Sequence, residues 1–255
     1  MFDIKKAIKI AQYSDIIYKE YGGDMEDALA ELNIHEYKYV ARKDTQALIV
    51  VDKTKKELYI IFRGTSSLHD WITNANCKKI DTIHGGVHKG AYEAYEAVSG
   101  DIEKLIVEII ANHPDWKIWT GGHSLGAISI LCAYNIWQHI SKNIAGVYIF
   151  GGMRIFDRKG SNEYNNSLGD KTYNVVYLSD HVPNFPYGYC RVGQRVYINA
   201  KGNIDVTEKE WKKEYFIRVF DTLRNAISFN AFRKPHGIEN YLEKLMQGKN
   251  ICVEK

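Results

Sequence analysis

The sequence predicts an α/β fold in which a mostly parallel sheet is flanked by helices on both faces. Apolar segments of strand length alternate along the chain with longer segments of helical periodicity, as in strand-helix-strand units. A chain of 255 residues suits one large domain, and no repeat, low-complexity segment or linker divides residues 1–255. Apolar residues make up 45% of the chain, which is ample for a single core.

The predicted helices come from apolar residues at helical spacing. In chain order they are 1–21, 24–33, Tyr92–Asn112 before Pro114, the segment from Ala127 to about Ser141, and Glu208–Phe232. The predicted strands are short apolar or alternating segments. In chain order they are Tyr37–Ala41, Ala47–Asp52, Glu57–Phe62, Lys117–Thr120, Ala145–Phe150, Tyr173–Leu178 and Arg195–Ile198, the last at an edge of the sheet.

Bulk composition argues against several classes of protein. The net charge is +3 and no dense basic run occurs, so nucleic acid is not a predicted partner. No apolar run is long enough to span a bilayer. Residues 1–10 have neither an apolar core nor a small-residue cleavage site, so they are not typical of a signal peptide. The expected location is therefore cytoplasmic, with secretion by another route left open.

A Gly-x-Ser-x-Gly pentapeptide, Gly122 to Gly126, lies between a predicted strand and a predicted helix. A serine on such a sharp strand-to-helix turn is the nucleophile elbow of the α/β-hydrolase fold. Glycines are needed on both sides, because a Cβ two residues from Ser124 would collide with the neighbouring strand or helix. The helix N-terminus also favours negative charge near the serine. Ser124 is therefore the predicted nucleophile, and the alternative is a glycine-rich turn whose serine only caps the helix.

A serine nucleophile needs a base within hydrogen-bond reach and an acid that orients the base. In α/β-hydrolases these residues follow in the chain order serine, acid, histidine. His139 lies in the predicted elbow helix and points away from the turn, and His181 directly follows the best acid candidate. His236 remains, on a segment that Pro235 stiffens, and is the predicted base; the alternative is a histidine on a surface loop.

Asp180 is the predicted acid, because it follows the strand that begins near Tyr173. Chemistry in open α/β sheets gathers at the carboxyl ends of the strands. The alternative role of Asp180 is an Asx turn before Pro183. The other aspartates considered lie in polar loops or helices without such a position; they are Asp157, Asp170, Asp205 and Asp221.

The oxyanion of a tetrahedral intermediate needs two preorganised donors. The backbone N–H of Leu125, the residue after the nucleophile, is predicted to be the first. The second is expected from the loop after the Glu57–Phe62 strand, where Thr65 is favoured over Ser66 and Ser67. Thr65 offers both a backbone N–H and a hydroxyl.

Together, these segments resemble the class 3 lipases, a family of fungal triacylglycerol lipases with bacterial and plant relatives. The matching blocks follow the family's order over residues 57–200 plus His236. The blocks are Phe62 to Ser66 with Asp70-Trp71, Val87 to Tyr92, Thr120 to Ala127, Phe150 to Arg154, Asp180 to Pro183 and Gly188 to Tyr197. The resemblance implies an α/β-hydrolase fold, a triad of Ser124, Asp180 and His236, and Thr65 as an oxyanion donor.

Met153 and segment 72–86 depart from the family pattern, and segment 211–232 bears on contact with lipid. Met153 stands where the family usually has proline, in a turn away from the predicted site. Segment 72–86 occupies the place of the amphipathic lid of secreted family lipases but is polar, so strong interfacial activation is not expected. Segment 211–232 carries an apolar stripe with basic residues, and a helix packed on the sheet is favoured over a membrane-facing cap.

The sequence thus predicts a serine hydrolase that cleaves carboxylic esters of lipids, or smaller esters, through an acyl-enzyme on Ser124. Two alternatives stay open: an acyltransferase that uses the same acyl-enzyme, and a non-catalytic binding protein on the hydrolase scaffold. The expected partner is a lipid or ester substrate, with transient contact to a membrane or micelle surface as an open option. The four cysteines are scattered, so neither a disulfide nor a metal is expected, and no cofactor is expected either.

Overall fold

The computed structural model describes residues 1–65, 78–82, 85–177, 180–199, 201–206, 236–248 and 251–252. Helices and strands alternate through these ranges, as the sequence predicts. The α-helices are α1 (Ile4–Ile16), α2 (Asp24–Glu31), α3 (Lys89–Asn112), α4 (Ser129–Ile140), α5 (Arg158–Leu168) and α6 (Ile238–Gln247). Short 3-10 turns lie at Ser124–Ile128, Ser141–Asn143, Gly169–Lys171 and Val182–Asn184.

The strands of the described ranges form one large sheet and one hairpin. They are β1 (Tyr37–Arg42), β2 (Thr45–Asp52), β3 (Glu57–Phe62), β4 (Lys79–Thr82), β5 (Gly85–His88), β6 (Lys117–His123), β7 (Ile144–Phe150), β8 (Thr172–Tyr177), β9 (Gln194–Ile198), β10 (Ile204–Asp205) and β11 (Ile251–Cys252). The large sheet has the order β1-β2-β3-β6-β7-β8-β9-β10-β11, and β4 pairs with β5 in the hairpin.

The centre of the large sheet is parallel. β3, β6, β7, β8 and β9 pair with one another in parallel, whereas β2 and β10 pair with this group in antiparallel. Because the parallel strands share one direction, the loops after β3, β6 and β8 leave the same edge of the sheet. These loops carry Thr65, Ser124 and Asp180.

The prediction that Arg195–Ile198 forms an edge strand is wrong. This segment lies in β9, and β10 pairs with β9 on the far side while β11 pairs with β10. β10 and β11 are two residues long each, so they are too short to produce an alternating hydrophobic pattern in the sequence.

Helices cover both faces of the sheet, which confirms the predicted layering. Side chains alternate between the faces along each strand, so neighbours such as Ile60 and Ile61 belong to different cores. One core contains Ile60 with Ile102 from α3, and helices α4 and α5 pack on the same face. The other core contains Ile61 with Ile10 from α1 and Tyr241 from α6.

The structure adds elements to those predicted. Helices α5 and α6 and the β4–β5 hairpin are not among the predicted elements. α5 is mostly polar and buries only Tyr164 and Leu168 among its large apolar residues, so its periodicity is weak. The predicted helix Glu208–Phe232 lies outside the described residues, as do positions 72–77 and 83–84 of the lid-like segment.

Two further expectations concern membranes and thiols. In the described part of the chain, no helix combines the length and apolarity needed to cross a bilayer. Cys132 is buried and Cys190 is half-buried, and both are free thiols. Cys77 lies outside the described residues, and the prediction of no disulfide stays a prediction for Cys77 and Cys252.

Candidate active site

Ser124 occupies a strained turn between β6 and the 3-10 turn that leads into α4. Its φ of 61° lies in the left-handed region, where a residue with a Cβ is rarely found. Strain of this kind costs about 1–3 kcal/mol and persists only where the surroundings enforce it. The turn therefore has the backbone geometry of a nucleophile elbow.

The two glycines of the pentapeptide allow this turn to pack against the end of β3. A Cβ on Gly122 would lie 2.6 Å from the carbonyl oxygen of Phe62, and a Cβ on Gly126 would lie 2.3 Å from the same oxygen. Both distances are far inside van der Waals contact with backbone, which cannot move aside cheaply. The sequence needs glycine at both positions for this reason.

The structure brings Asp180 and His236 together, although 56 positions separate them in the sequence. His236 Nδ1 lies 2.8 Å from Asp180 Oδ2, and a carboxylate only accepts, so Nδ1 carries the hydrogen. The backbone N–H of Val182 donates to Asp180 Oδ1 at 2.9 Å. Both side chains are buried, with Asp180 1% and His236 5% exposed. This tautomer leaves the lone pair of His236 Nε2 available to accept a proton.

Two buried polar atoms at the site have no hydrogen-bond partner within the described ranges: Ser124 Oγ and His236 Nε2. A buried polar atom without a partner normally costs about 1–3 kcal/mol, so such atoms are rare in folded proteins. Ser124 is 2% exposed. His236 reaches the elbow, since its ring centroid lies 4.5 Å from that of His123, the residue before Ser124. The two unpaired atoms thus belong to neighbouring parts of one site.

The loop after β3 packs directly on the elbow. A Cβ on Gly64 would lie 3.0 Å from Ser124 Cβ and 2.7 Å from the carbonyl oxygen of His123. Thr65 and Leu125 both line one cavity of about 1060 Å³, together with Gly64. The N–H groups at the start of a helical turn have no partner within that turn, and Leu125 holds such a position. Ser66 and Ser67 lie outside the described residues.

Two residues that sequence reasoning missed complete the surroundings of Asp180. Tyr241 on α6 donates its hydroxyl to Asp180 Oδ2 at 2.5 Å. Burial raises the pKa of Tyr241 well above its usual value, and the Asp180 carboxylate raises it further, so the phenol keeps its proton. Gly151 at the end of β7 has a φ of 58°, and a Cβ there would lie 2.6 Å from Asp180 Oδ2. The Gly151-Gly152 pair was a signal in the sequence, whereas Tyr241 lies in a helix that was not predicted.

Comparison with known proteins identifies a family for this architecture. The family model described as Lipase (class 3) matches residues 59–189, which is just over half of the chain. The matched region runs from β3 through the elbow and Asp180 to the segment before β9. It therefore contains the strands and loops that carry Thr65, Ser124 and Asp180, whereas His236 and Tyr241 lie beyond it.

The relatives that the chain matches include fungal lipases. The chain is 29% identical over 182 residues to a lipase of Rhizomucor miehei, which covers 68% of this chain and 50% of the relative. It is 30% identical over 196 residues to secreted mono- and diacylglycerol lipase 1 of Fusarium solani, which covers 71% of this chain and 54% of the relative. The chain thus spans about half of the length of the relatives it matches.

Solved structures show the same fold. The Rhizomucor miehei triacylglyceride lipase superposes with a TM-score of 0.65 at 23% identity, covering 76% of this chain and 80% of that one. A lipase from Rhizopus microsporus var. chinensis gives a TM-score of 0.68 at 22% identity, covering 76% and 74%. At these identities the superpositions establish the α/β-hydrolase fold alone.

The cytoplasmic location expected from the sequence is wrong. The relatives from Fusarium solani and Penicillium cyclopium are named secreted mono- and diacylglycerol lipases, and this finding overturns the expectation. The expectation rested on the lack of a bilayer-spanning apolar run and of signal-peptide features in residues 1–10. Secreted and cytoplasmic domains of this size share those features, so they do not discriminate between the two locations.

Sequence, structure and comparison agree on one family. The elbow at Ser124 and the parallel sheet with helices on both faces are those of an α/β-hydrolase. The family model covers more than half of the chain, and fungal members align with two thirds of it or more. The chain belongs to the class 3 lipase family.

Proposed function

We propose that this protein hydrolyses carboxylic esters of lipids with Ser124 as nucleophile, His236 as base and Asp180 as the residue that orients the base. One observation carries the proposal. The buried Asp180–His236 hydrogen bond, 2.8 Å long, fixes an imidazole whose Nε2 has no partner among the described residues, in the same site as a strained serine whose Oγ has none among them either. The proposed reaction uses both atoms, since Ser124 Oγ gives its proton to His236 Nε2.

The proposed reaction proceeds in two halves. In the first, His236 Nε2 takes the proton of Ser124 Oγ, and Oγ bonds to the ester carbonyl carbon. The tetrahedral oxyanion accepts hydrogen bonds from the backbone N–H groups of Thr65 and Leu125. Collapse breaks the carbon–oxygen bond to the alcohol, which leaves with the proton held by His236. In the second half, water adds to the acyl-enzyme with the same base, and the carboxylic acid departs from Ser124.

Asp180 supports both halves electrostatically. The imidazolium formed in each half carries its charge next to the Asp180 carboxylate, which is already desolvated and held by two further donors, Val182 N–H and Tyr241 O–H. Such a preorganised acceptor does not have to reorient during the reaction. It also holds the imidazole in the tautomer that leaves Nε2 free for Ser124.

Acylglycerols are the substrate class we propose, because the matched relatives are named lipases and mono- and diacylglycerol lipases. Contact with a micelle or membrane surface is part of this proposal. One fungal lipase of the same fold, in complex with an inhibitor, has served as a model for interfacial activation in lipases. For the present chain, that contact is tested by comparing monomeric and micellar substrate.

The test is hydrolysis of p-nitrophenyl esters from C2 to C16, with and without detergent micelles. Wild-type protein should hydrolyse the series, and Ser124→Ala should lose at least about three orders of magnitude in kcat/KM. Ser161→Ala is a matched control, since Ser161 is also buried but lies on α5 and bonds to the Arg158 carbonyl. Equal activity of wild type and Ser124→Ala would refute the proposal. A long-chain optimum that rises with micelles supports acylglycerols and surface contact.

A further inference from the structure

Three stretches of the chain that are far apart in sequence must keep their relative positions for this site to work. They are the loop at Gly64, the elbow at His123-Ser124 and the segment at His236. Each comes from a different element, and the strands of the sheet alone do not fix the third. Two side chains, Tyr18 and His123, connect all three through two hydrogen bonds and one close backbone contact.

Tyr18 forms the first part of this connection. It lies two residues after the end of α1, and its backbone N–H donates to the carbonyl of Asp15 at 3.1 Å, which fixes the backbone from which the side chain extends. Its hydroxyl lies 2.9 Å from His123 Nδ1 and packs against the backbone of Gly64. The contact with Gly64 is tight, because a Cβ at that position would lie 2.1 Å from the Tyr18 oxygen.

His123 forms the second part. Its Nε2 lies 2.5 Å from the backbone carbonyl oxygen of His236. A carbonyl only accepts, so Nε2 donates, and in a neutral imidazole Nδ1 then accepts the hydroxyl hydrogen of Tyr18. Burial lowers the pKa of His123 well below its usual value, and the neighbouring His236 lowers it further, which keeps the ring neutral as this arrangement requires.

The two hydrogen bonds run in one direction, from Tyr18 through the His123 ring to the carbonyl of His236. Tyr18 packs against Gly64, its O–H donates to His123 Nδ1, and His123 Nε2–H donates to the carbonyl of His236. The rings also pack edge to face, with the centroids of Tyr18 and His123 separated by 5.8 Å. Neither Ser124 Oγ nor His236 Nε2 takes part in these hydrogen bonds.

We propose that Tyr18 and His123 are positioning residues that hold the oxyanion loop and the catalytic histidine in register with Ser124. This inference rests on the hydrolase function proposed above. A displacement of about 1 Å in a reacting group can cost about 100-fold in rate, so a link that only positions other groups has a catalytic effect far larger than its effect on folding. Helix α1 thereby contributes to the active site through Tyr18, which lies two residues beyond its end.

The first test is Tyr18→Phe, which removes one hydroxyl and keeps the ring. We expect kcat on a soluble p-nitrophenyl ester to fall by about 10- to 100-fold per reactive site, while KM changes less than about threefold. Reactive sites are counted by titration with a fluorophosphonate, so misfolded protein does not contribute. Tyr164→Phe is the matched control. Tyr164 lies on α5, and its buried hydroxyl forms a hydrogen bond of 2.7 Å with Thr172 Oγ1 at the start of β8. That control should keep wild-type kcat with a similar change in Tm.

A second pair of variants separates the two bonds of His123. His123→Asn can still accept from Tyr18 through its amide oxygen, and His123→Gln can place an amide N–H toward the carbonyl of His236. Because one connected chain is proposed, combining Tyr18→Phe with His123→Gln should cost less in kcat than the product of the two single losses. Fully multiplicative losses would show two independent contacts and overturn the inference.

The design distinguishes failure of this inference from failure of the proposed function. Wild-type protein that neither hydrolyses esters nor reacts with the fluorophosphonate contradicts the hydrolase function and the inference with it. Reactive wild type with Tyr18→Phe at the same kcat per site, or with a loss no larger than that of Tyr164→Phe, overturns the inference alone. Loss confined to KM would also overturn it, since positioning acts on the transition state.

Discussion

Three donors hold the carboxylate of Asp180: Val182 N–H on Oδ1, and His236 Nδ1–H and Tyr241 O–H on Oδ2. A buried carboxylate needs several donors, because its desolvation is costly when it is not compensated. The same three bonds fix its orientation toward the imidazole. Stability and the proposed catalysis therefore depend on the same atoms of Asp180. A substitution that removes the charge but keeps the shape of the side chain allows the effects on Tm and on kcat to be measured separately.

Asp180→Asn should lower kcat by about three to four orders of magnitude. An amide can present its N–H₂ to His236 Nδ1, which reverses the tautomer and places the hydrogen on Nε2, where it blocks proton transfer from Ser124. Asp157→Asn is the control: Asp157 caps α5 by accepting from Gly160 N–H, and asparagine caps equally well. Both variants are assayed for ester hydrolysis and Tm. Near wild-type kcat in Asp180→Asn would contradict the role proposed for the acid.

At the level of helices and strands, the shape of the elbow depends both on its local sequence and on its packing against β3. β6 ends at His123, a 3-10 turn follows and α4 begins at Ser129, so the chain reverses within a few residues. This reversal presses Gly122 and Gly126 against the last residue of β3. The packing of β3, β6 and the turn before α4 thus requires glycine, which has no side chain, at positions 122 and 126.

Gly126→Ala should lower Tm by several degrees and abolish most activity, because the new Cβ would lie 2.3 Å from the Phe62 carbonyl. Gly100→Ala is the matched control within a helix. Gly100 is exposed in α3 and a Cβ there meets nothing within 4 Å, so this change should stabilise the protein by about 0.5–1 kcal/mol. Equal Tm values for the two variants would contradict the packing described for the elbow.

A salt bridge anchors α1 to β2 and predicts a dependence of stability on pH. Burial would raise the pKa of Asp52, but hydrogen bonds from Lys9, Thr54 and the Lys55 N–H lower it to about 2, from 3.8. A lowered pKa in the folded state stabilises the fold above pH 3.8, and this stabilisation is lost as the pH falls through 2. The Tm of wild type should therefore exceed that of Asp52→Asn at pH 6, and the difference should shrink toward zero near pH 2.

The control for the pH dependence is Asp44→Asn in the exposed turn between β1 and β2. Its difference from wild type should be small at both pH values. A difference between wild type and Asp52→Asn that stays constant from pH 6 to pH 2 would contradict the ionic character of this contact.

Local patterns predicted most of the elements and the identity of the candidate site residues. Strand β3 was predicted with its observed ends, and the elbow followed from five consecutive residues, because both depend on short-range periodicity or backbone sterics. Tyr18 and Tyr241 could not be predicted, since their partners lie 105 and 61 positions away and follow only from how α1 and α6 pack. α6 did carry a helical signal, with Ile238, Tyr241 and Leu245 buried along one face.

The chain as one unit is built around a single sheet whose strands come from residues 37 to 252. We propose that residues 1–255 form one domain, because both cores lie on opposite faces of that sheet and α1 and α6 pack together on one of them. The site takes contributions from β3, β6, β8 and α6 and from Tyr18, two residues beyond α1. Partial unfolding of either face would therefore remove part of the site.

One cooperative thermal transition should follow from this arrangement. Far-UV circular dichroism, tryptophan fluorescence and residual ester hydrolysis should give the same midpoint, since the two cores share every central strand. Trp119 and Trp116 flank the start of β6 and report on the centre of the sheet. Two separated transitions, or activity lost well before the secondary structure, would contradict the single domain.

The central claim is that Ser124 is a nucleophile activated by His236. The most direct measurement is labelling with a fluorophosphonate, followed by mass spectrometry of the digested protein. We predict one adduct on Ser124 in wild type, none in Ser124→Ala, and labelling slowed by about 100-fold or more in His236→Ala. No adduct in wild type, an adduct on another residue, or an unchanged rate without His236 would contradict the account.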